Sequence, residues 1–165
     1  MNKKGLEPGD RAPDFDLPAD SGGRVSLSRL KGKSVVLYFY PKDNTSGCTA
    51  EALAFSKDAK LFAAAGAVVI GVSKDSVASH DRFKAKYALS LTLAADEETK
   101  TAEAYGVWVE KSMYGRRYMG MERATFLIDG RGVIRQIWRK VKVPGHSAEV
   151  LKAVKNLKAG TAAGS

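Results

Sequence analysis

The segments Val35-Val-Leu-Tyr-Phe-Tyr40 and Ala67-Val-Val-Ile-Gly-Val-Ser73, with Pro41-Lys-Asp-Asn-Thr-Ser-Gly-Cys48 and a helical stretch between them, decide the fold. Each apolar run is short, rich in β-branched or aromatic residues and closed by a breaker, so each reads as a strand buried on both faces. From Thr49 to Ala65 the apolar residues Ala52, Phe55, Ala59 and Phe62 step by three, four and three, which is one face of a helix; Gly66 is the stop. Downstream, Ser76–Tyr87 and Thr99–Tyr105 read as helices, with Leu91–Ala95 as a weaker strand between them. The stretches 124–129 and 133–139 flank Gly130-Arg131-Gly132 as a hairpin, and Ser147–Leu157 reads as a last helix. Alternation of this kind predicts an α/β fold, and the closing hairpin makes its central sheet mixed, with helices flanking it.

A chain of 165 residues, 44% hydrophobic and 27% charged, suits one domain over 1–165. Its expected core is about 8–158, with the small, polar tail 159–165 frayed. No stretch approaches the ~20 apolar residues of a membrane span, and the start, Met1-Asn-Lys-Lys-Gly5, has no signal-peptide core. The expectation is a cytoplasmic protein without a membrane partner, or one whose targeting segment lies outside this sequence. One cysteine excludes an internal disulfide and the usual cysteine-rich zinc sites. Two histidines, His80 and His146, show no metal-ligand spacing and read as structural or surface residues. The net charge of +9 is uneven: from Arg131 onward eight Lys/Arg face one acid, Glu149. Without a zinc finger or interleaved aromatics, that basic third reads as a solvated face and no nucleic-acid partner is expected.

Cys48 follows the strand-ending Pro41 and a polar loop. A lone cysteine is ordinarily a small inert hydrophobe. With Thr45 or Ser46 as N-cap, however, this one lies in the first turn of a helix. Unpaired backbone N–H groups and the positive end of the helix dipole there favour an anion such as a thiolate. The thiol also stands at the carboxyl end of a strand, where open α/β sheets present their sites. These considerations favour a reactive sulfur without choosing its reaction.

The same residues resemble the peroxiredoxins, specifically the bacterioferritin comigratory protein or PrxQ subfamily. Pro41-x-x-x-Thr45-x-x-Cys48 fits the family's active-site motif, and Gly47-Cys-Thr-Ala-Glu51 the subfamily's continuation. Gly9-Asp-Arg-Ala-Pro-Asp-Phe15, Glu122-Arg-Ala-Thr-Phe-Leu-Ile-Asp129 and Trp138–His146 match distant segments, so the likeness covers about residues 8–158. It implies a thioredoxin-like fold of the peroxiredoxin type and a thioredoxin-dependent type of peroxidase that needs no cofactor. It further implies that Cys48 attacks hydrogen peroxide and organic hydroperoxides and becomes a sulfenic acid. Thr45 would hydrogen-bond thiolate and peroxide, Arg123 would hold the thiolate and polarise the peroxide, and Pro41 would shield the sulfur. Glu51 would either orient Arg123 or merely favour the first helical turn. Read alone, Thr45 is a helix cap, Pro41 a strand breaker and Arg123 a surface charge.

The sequence departs from that family at the resolving cysteine, which relatives carry at the positions of Leu53 or Lys84. With neither present, the resemblance implies a one-cysteine mechanism completed by an external thiol: thioredoxin, glutaredoxin or a small thiol. In an ideal helix Cα atoms five residues apart are about 8.6 Å from each other, beyond ordinary disulfide reach. Relatives with that pair must unwind the first turn, whereas this helix start is expected to persist. Subfamily habit implies a monomer, with a dimer as the alternative. A competing function is a non-enzymatic thioredoxin-fold redox sensor or holdase that switches through Cys48. The missing Cys-x-x-Cys pair disfavours a thiol–disulfide oxidoreductase, and no histidine is placed to activate a cysteine hydrolase.

Overall fold

The structure, a computed structural model, describes residues 5–164. In chain order its strands and α-helices are β1 Asp16–Pro18, β2 Arg24–Ser26, β3 Ser34–Phe39, α1 Ser46–Lys57, α2 Ala59–Ala64, β4 Ala67–Ser73, α3 Val77–Tyr87, β5 Thr92–Ala95, α4 Lys100–Ala104, β6 Trp108–Met113, β7 Arg116–Met121, β8 Ala124–Ile128, β9 Ile134–Trp138 and α5 His146–Gly164. The apolar run from Val35 forms β3, the middle strand of a five-stranded sheet ordered β5-β4-β3-β8-β9. β3, β4 and β5 run parallel, while β8 pairs antiparallel with both β3 and β9. This is the mixed, helix-flanked α/β sheet expected from the sequence.

Period-two geometry sorts β3 onto two cores. Val36, Tyr38 and Tyr40 face α1, α2 and α5 through Ala52, Phe55, Phe62 and Val150. Val35, Leu37 and Phe39 face Tyr105, Val107 and Phe126 on the other side. All six β3-run residues are at most 1% exposed, which is why the run carries no polar residue. Tyr38 stacks on Phe55 with ring centroids 4.7 Å apart. A Cβ at Gly71 on neighbouring β4 would lie 2.7 Å from the Tyr38 ring, so that glycine makes the ring's place.

Several local features differ from the sequence reading, which also left out the short β1–β2 ribbon. The helix expected over 49–65 begins at Ser46 and is broken at Asp58 into α1 and α2. The Asp58 carboxylate accepts from the Ser147 hydroxyl at 3.0 Å, which ties the break to α5. Next, the antiparallel ribbon β6–β7 fills a stretch where no strand was expected. Its tight turn uses Tyr114 and Gly115, both at positive φ (52° and 78°), as two-residue hairpin turns require. Charged residues such as Glu110, Lys111, Arg116 and Arg117 hide its alternation. Finally, α5 runs through Gly164, past the start of the small, polar tail at 159, where alanines favour helix; Ser165 lies outside the described residues. Among the described residues no helix is long and apolar enough to cross a membrane.

Candidate active site

Pro41 stops the β3 run, and the loop to Thr45 leads into α1, which packs on one face of the sheet. Asn44 takes a left-handed conformation (φ 62°), which asparagine tolerates. Thr45 is the N-cap of α1 with extended φ/ψ, and its carbonyl accepts the first helical bond from the Thr49 N–H at 2.8 Å. Its hydroxyl does not cap the helix; it donates to the Lys42 carbonyl at 2.8 Å and closes the loop. The N–H groups of Ser46, Gly47 and Cys48 therefore have no acceptor within the helix and form a local electropositive end. Cys48 is the third residue of that turn and is 2% exposed.

Arg123 reaches this sulfur from the short link between β7 and β8. Its Nη2 donates to Cys48 Sγ at 3.4 Å and its Nη1 to Glu51 Oε1 at 2.7 Å. One planar fork thus bridges residues three apart on the same helix face. Gly47 permits the approach, because a Cβ there would lie 3.1 Å from Arg123 Nη2. Burial opposes the charge on Arg123, but Glu51 and Cys48 outweigh it and the guanidinium holds its proton more firmly than usual. Burial pushes the Glu51 carboxyl up to about 7 against the opposing pull of Arg123. Its second oxygen is buried with no hydrogen-bond partner among the described residues. Beneath them Tyr38 keeps its proton: burial first, then the charges of Glu51 and Cys48, push it well above the usual tyrosine range.

Of the residues singled out in the sequence, Cys48, Arg123 and Glu51 meet in one cluster. Thr45 borders it but directs its hydroxyl to Lys42, and Pro41 is exposed at the loop's start. Leu53 is 42% exposed on α1, and Lys84 is ion-paired at 2.6 Å with Asp20. Both histidines are buried: His80 lies against Asp43, and His146 contacts the Thr125 hydroxyl at 2.8 Å. One neighbour had no signal in the sequence. Lys111 on β6 donates to the Met121 carbonyl at 2.5 Å. Burial and then the charge of Arg123 lower its ammonium, with Cys48 pulling the other way. Two concave surfaces, of about 430 and 450 Å³, are lined by residues that include Arg11, Leu27 and Asp129 in the first and Trp138, Lys140 and Glu149 in the second. Neither contains Cys48, so chemistry rather than concavity locates the site. No group of three or more metal-ligating side chains is present among the described residues.

An anchored thiol at a helix start, with a bidentate guanidinium donor beside it, suits nucleophilic sulfur chemistry in which negative charge moves onto a bound oxygen. Comparison with known proteins agrees. Residues 8–137 match the AhpC/TSA family. Peroxiredoxin Bcp of Bacillus subtilis is 51% identical over 92% of this chain and 97% of its own length. Peroxiredoxin Bcp of Xanthomonas campestris is 47% identical over 87% and 91%. Among solved structures, a cysteine-to-serine PrxQ variant from Xylella fastidiosa superposes with a TM-score of 0.88 at 39% identity, covering 93% of this chain and 98% of that one. The Xanthomonas campestris bacterioferritin comigratory protein, solved in work on its alkyl peroxide reduction activity, superposes at 0.84 with 43% identity, covering 87% and 92%. On a family match over most of its length and relatives at about half identity across nearly the whole chain, the chain belongs to the AhpC/TSA family as a peroxiredoxin of the Bcp (PrxQ) type, a thiol-dependent peroxidase with a thioredoxin-like fold and a single cysteine.

Proposed function

We propose that Cys48 reduces hydrogen peroxide and organic hydroperoxides by a one-cysteine cycle. The observation that carries this is the Arg123 fork, with one arm on Cys48 Sγ and the other on the buried Glu51. The thiolate attacks the terminal peroxide oxygen; the S–O bond forms as the O–O bond breaks. The leaving oxygen takes a proton and departs as water or an alcohol, and Cys48 becomes a sulfenic acid. Arg123 Nη2 and the free N–H groups at the start of α1 are directed toward the charge that develops along the O–O bond. Glu51 is a positioning residue, fixing the plane of the guanidinium. Thr45 serves the peroxide after its hydroxyl leaves the Lys42 carbonyl, and Pro41 limits water at the loop.

An external thiol then attacks the sulfenic sulfur and releases water to give a mixed disulfide. A second thiol releases Cys48 as the thiolate and carries off the disulfide. A single cysteine in the sequence supports an outside reductant, whether thioredoxin, glutaredoxin or a small thiol. The same reading has the chain acting as one domain, as a monomer and in the cytoplasm, where thiols stay reduced. Mass spectrometry after one equivalent of peroxide tests the cycle. Cys48 is expected as a sulfenic acid or, with added thiol, a mixed disulfide; an unmodified Cys48 refutes it.

A further inference from the structure

Five residues before Cys48, the loop that ends in α1 is fastened to the interior by Asp43. This residue is 6% exposed, although it sits in a polar loop. The Tyr40 hydroxyl donates to its Oδ1 at 2.6 Å and the Ser79 hydroxyl to its Oδ2 at 2.8 Å. His80 Nδ1 lies 2.7 Å from the same Oδ2, and His80 itself is 0% exposed. Convergent donors of this kind are what an ionised carboxylate accepts. The far side of the imidazole is also against an oxygen: Nε2 is 2.9 Å from the Ala94 carbonyl on β5. Both ring nitrogens of His80 thus face an oxygen, the Asp43 carboxylate on one side and the Ala94 carbonyl on the other. The backbone N–H of Asp43 is held as well, by Asp75 Oδ2 at 2.8 Å. At the next residue Tyr87 donates to Asn44 Oδ1 at 3.1 Å. Outside the loop's own strand, the side chains that hold Asp43 and Asn44 come from α3 and the β4–α3 junction.

We propose that the buried Asp43–His80 pair is a positioning device for the peroxidatic loop. It fixes the register of Thr45, the free N–H groups of α1 and Cys48 against Arg123. This rests on the peroxidase reading above and names residues beyond those that touch the sulfur. His80 Nδ1 is the functional contact, and Nε2 serves only to seat the ring on β5.

That division of labour gives a test in which a merely structural histidine behaves differently. Asparagine at 80 places an N–H near the position of Nδ1, and glutamine near that of Nε2. Each variant loses one buried hydrogen bond, so their melting temperatures should fall alike. Reduced protein is mixed with hydrogen peroxide by stopped flow, and amide exchange over residues 43–48 is followed in parallel. His80→Asn is expected within about threefold of the parent rate. His80→Gln should lose roughly 10- to 100-fold, the scale of a misplaced reacting group, and its 43–48 amides should exchange at least about tenfold faster than in His80→Asn. Tyr40→Phe, which removes one donor to Asp43 and keeps the ring, should lose a few-fold and remain folded if both histidine variants do not. Equal behaviour of the Asn and Gln variants, or an unchanged rate and exchange in Tyr40→Phe, overturns the proposal. The exchange comparison needs no peroxide, so it stands even if the parent protein reacts no faster than a free thiol, which would instead sink the peroxidase reading.

Discussion

Replacing Glu51 by Gln should change how stability depends on pH in a direction opposite to ordinary acid denaturation. Glu51 is 1% exposed, and burial holds its carboxyl at about 7 rather than its usual 4.5 despite the Arg123 partner. Between those values the folded protein keeps a proton that the unfolded chain has released. Stability from this group is therefore full below pH 4.5, falls as pH rises through the window and levels off just above 7. The span of about 2.5 units at 1.4 kcal/mol per unit amounts to about 3–4 kcal/mol. Glutamine keeps the acceptor for Arg123 Nη1 and has nothing to titrate. Urea unfolding of parent and Glu51→Gln from pH 4.5 to 8 gives the two curves. Subtracting the variant's free energy from the parent's should yield a line that descends by about 3–4 kcal/mol to pH 7 and is flat beyond. A flat difference throughout, or one that rises with pH, would refute the burial argument.

Other expectations concern the same cluster and the core beneath it. Arg123→Met removes the only side-chain donor that reaches Cys48 Sγ among the described residues; the peroxide rate should fall by roughly 10²–10³, the cost of one such donor elsewhere, with a native circular dichroism spectrum. Gly47→Ala should separate activity from stability: alanine favours the helix by up to about 1 kcal/mol, yet its Cβ crowds Arg123 Nη2 at 3.1 Å, so stopped flow should show a slower reaction in a protein no less stable to urea. Gly71→Ala drives a Cβ to 2.7 Å from the buried Tyr38 ring, and should cost about 1–3 kcal/mol in chemical denaturation through overpacking.

The centre of the sheet was legible because β3 and β4 are largely buried on both faces and nearly free of polar residues that would confuse the period: Val35–Tyr40 and Ala67–Ser73 fell within a residue of β3 and β4. The thiol's place was legible too, since Thr45 and a polar loop announce a helix start. Other features were hidden for physical reasons. The β6–β7 ribbon exposes most of its side chains, so charge obscured its alternation. The break at Asp58 depends on Ser147, which is 89 residues away in sequence. Local spacing cannot show such a contact. His80 and Asp43 are unremarkable one at a time; only the fold places them 2.7 Å apart in the interior. Lys111 likewise enters the field of Arg123 through a hairpin that the sequence did not reveal. The Arg123–Cys48 contact is a different case. Nothing local to position 123 predicts it, and it was anticipated only through resemblance to related sequences.

The account depends most on Cys48 being a peroxidatic thiolate activated by its surroundings. The direct measurement is stopped-flow mixing of the reduced protein with hydrogen peroxide, alongside Cys48→Ser. The rate should far exceed that of a free thiol at the same pH and vanish in the serine variant. A rate no better than a free thiol, or one that survives the loss of Cys48, would contradict the account.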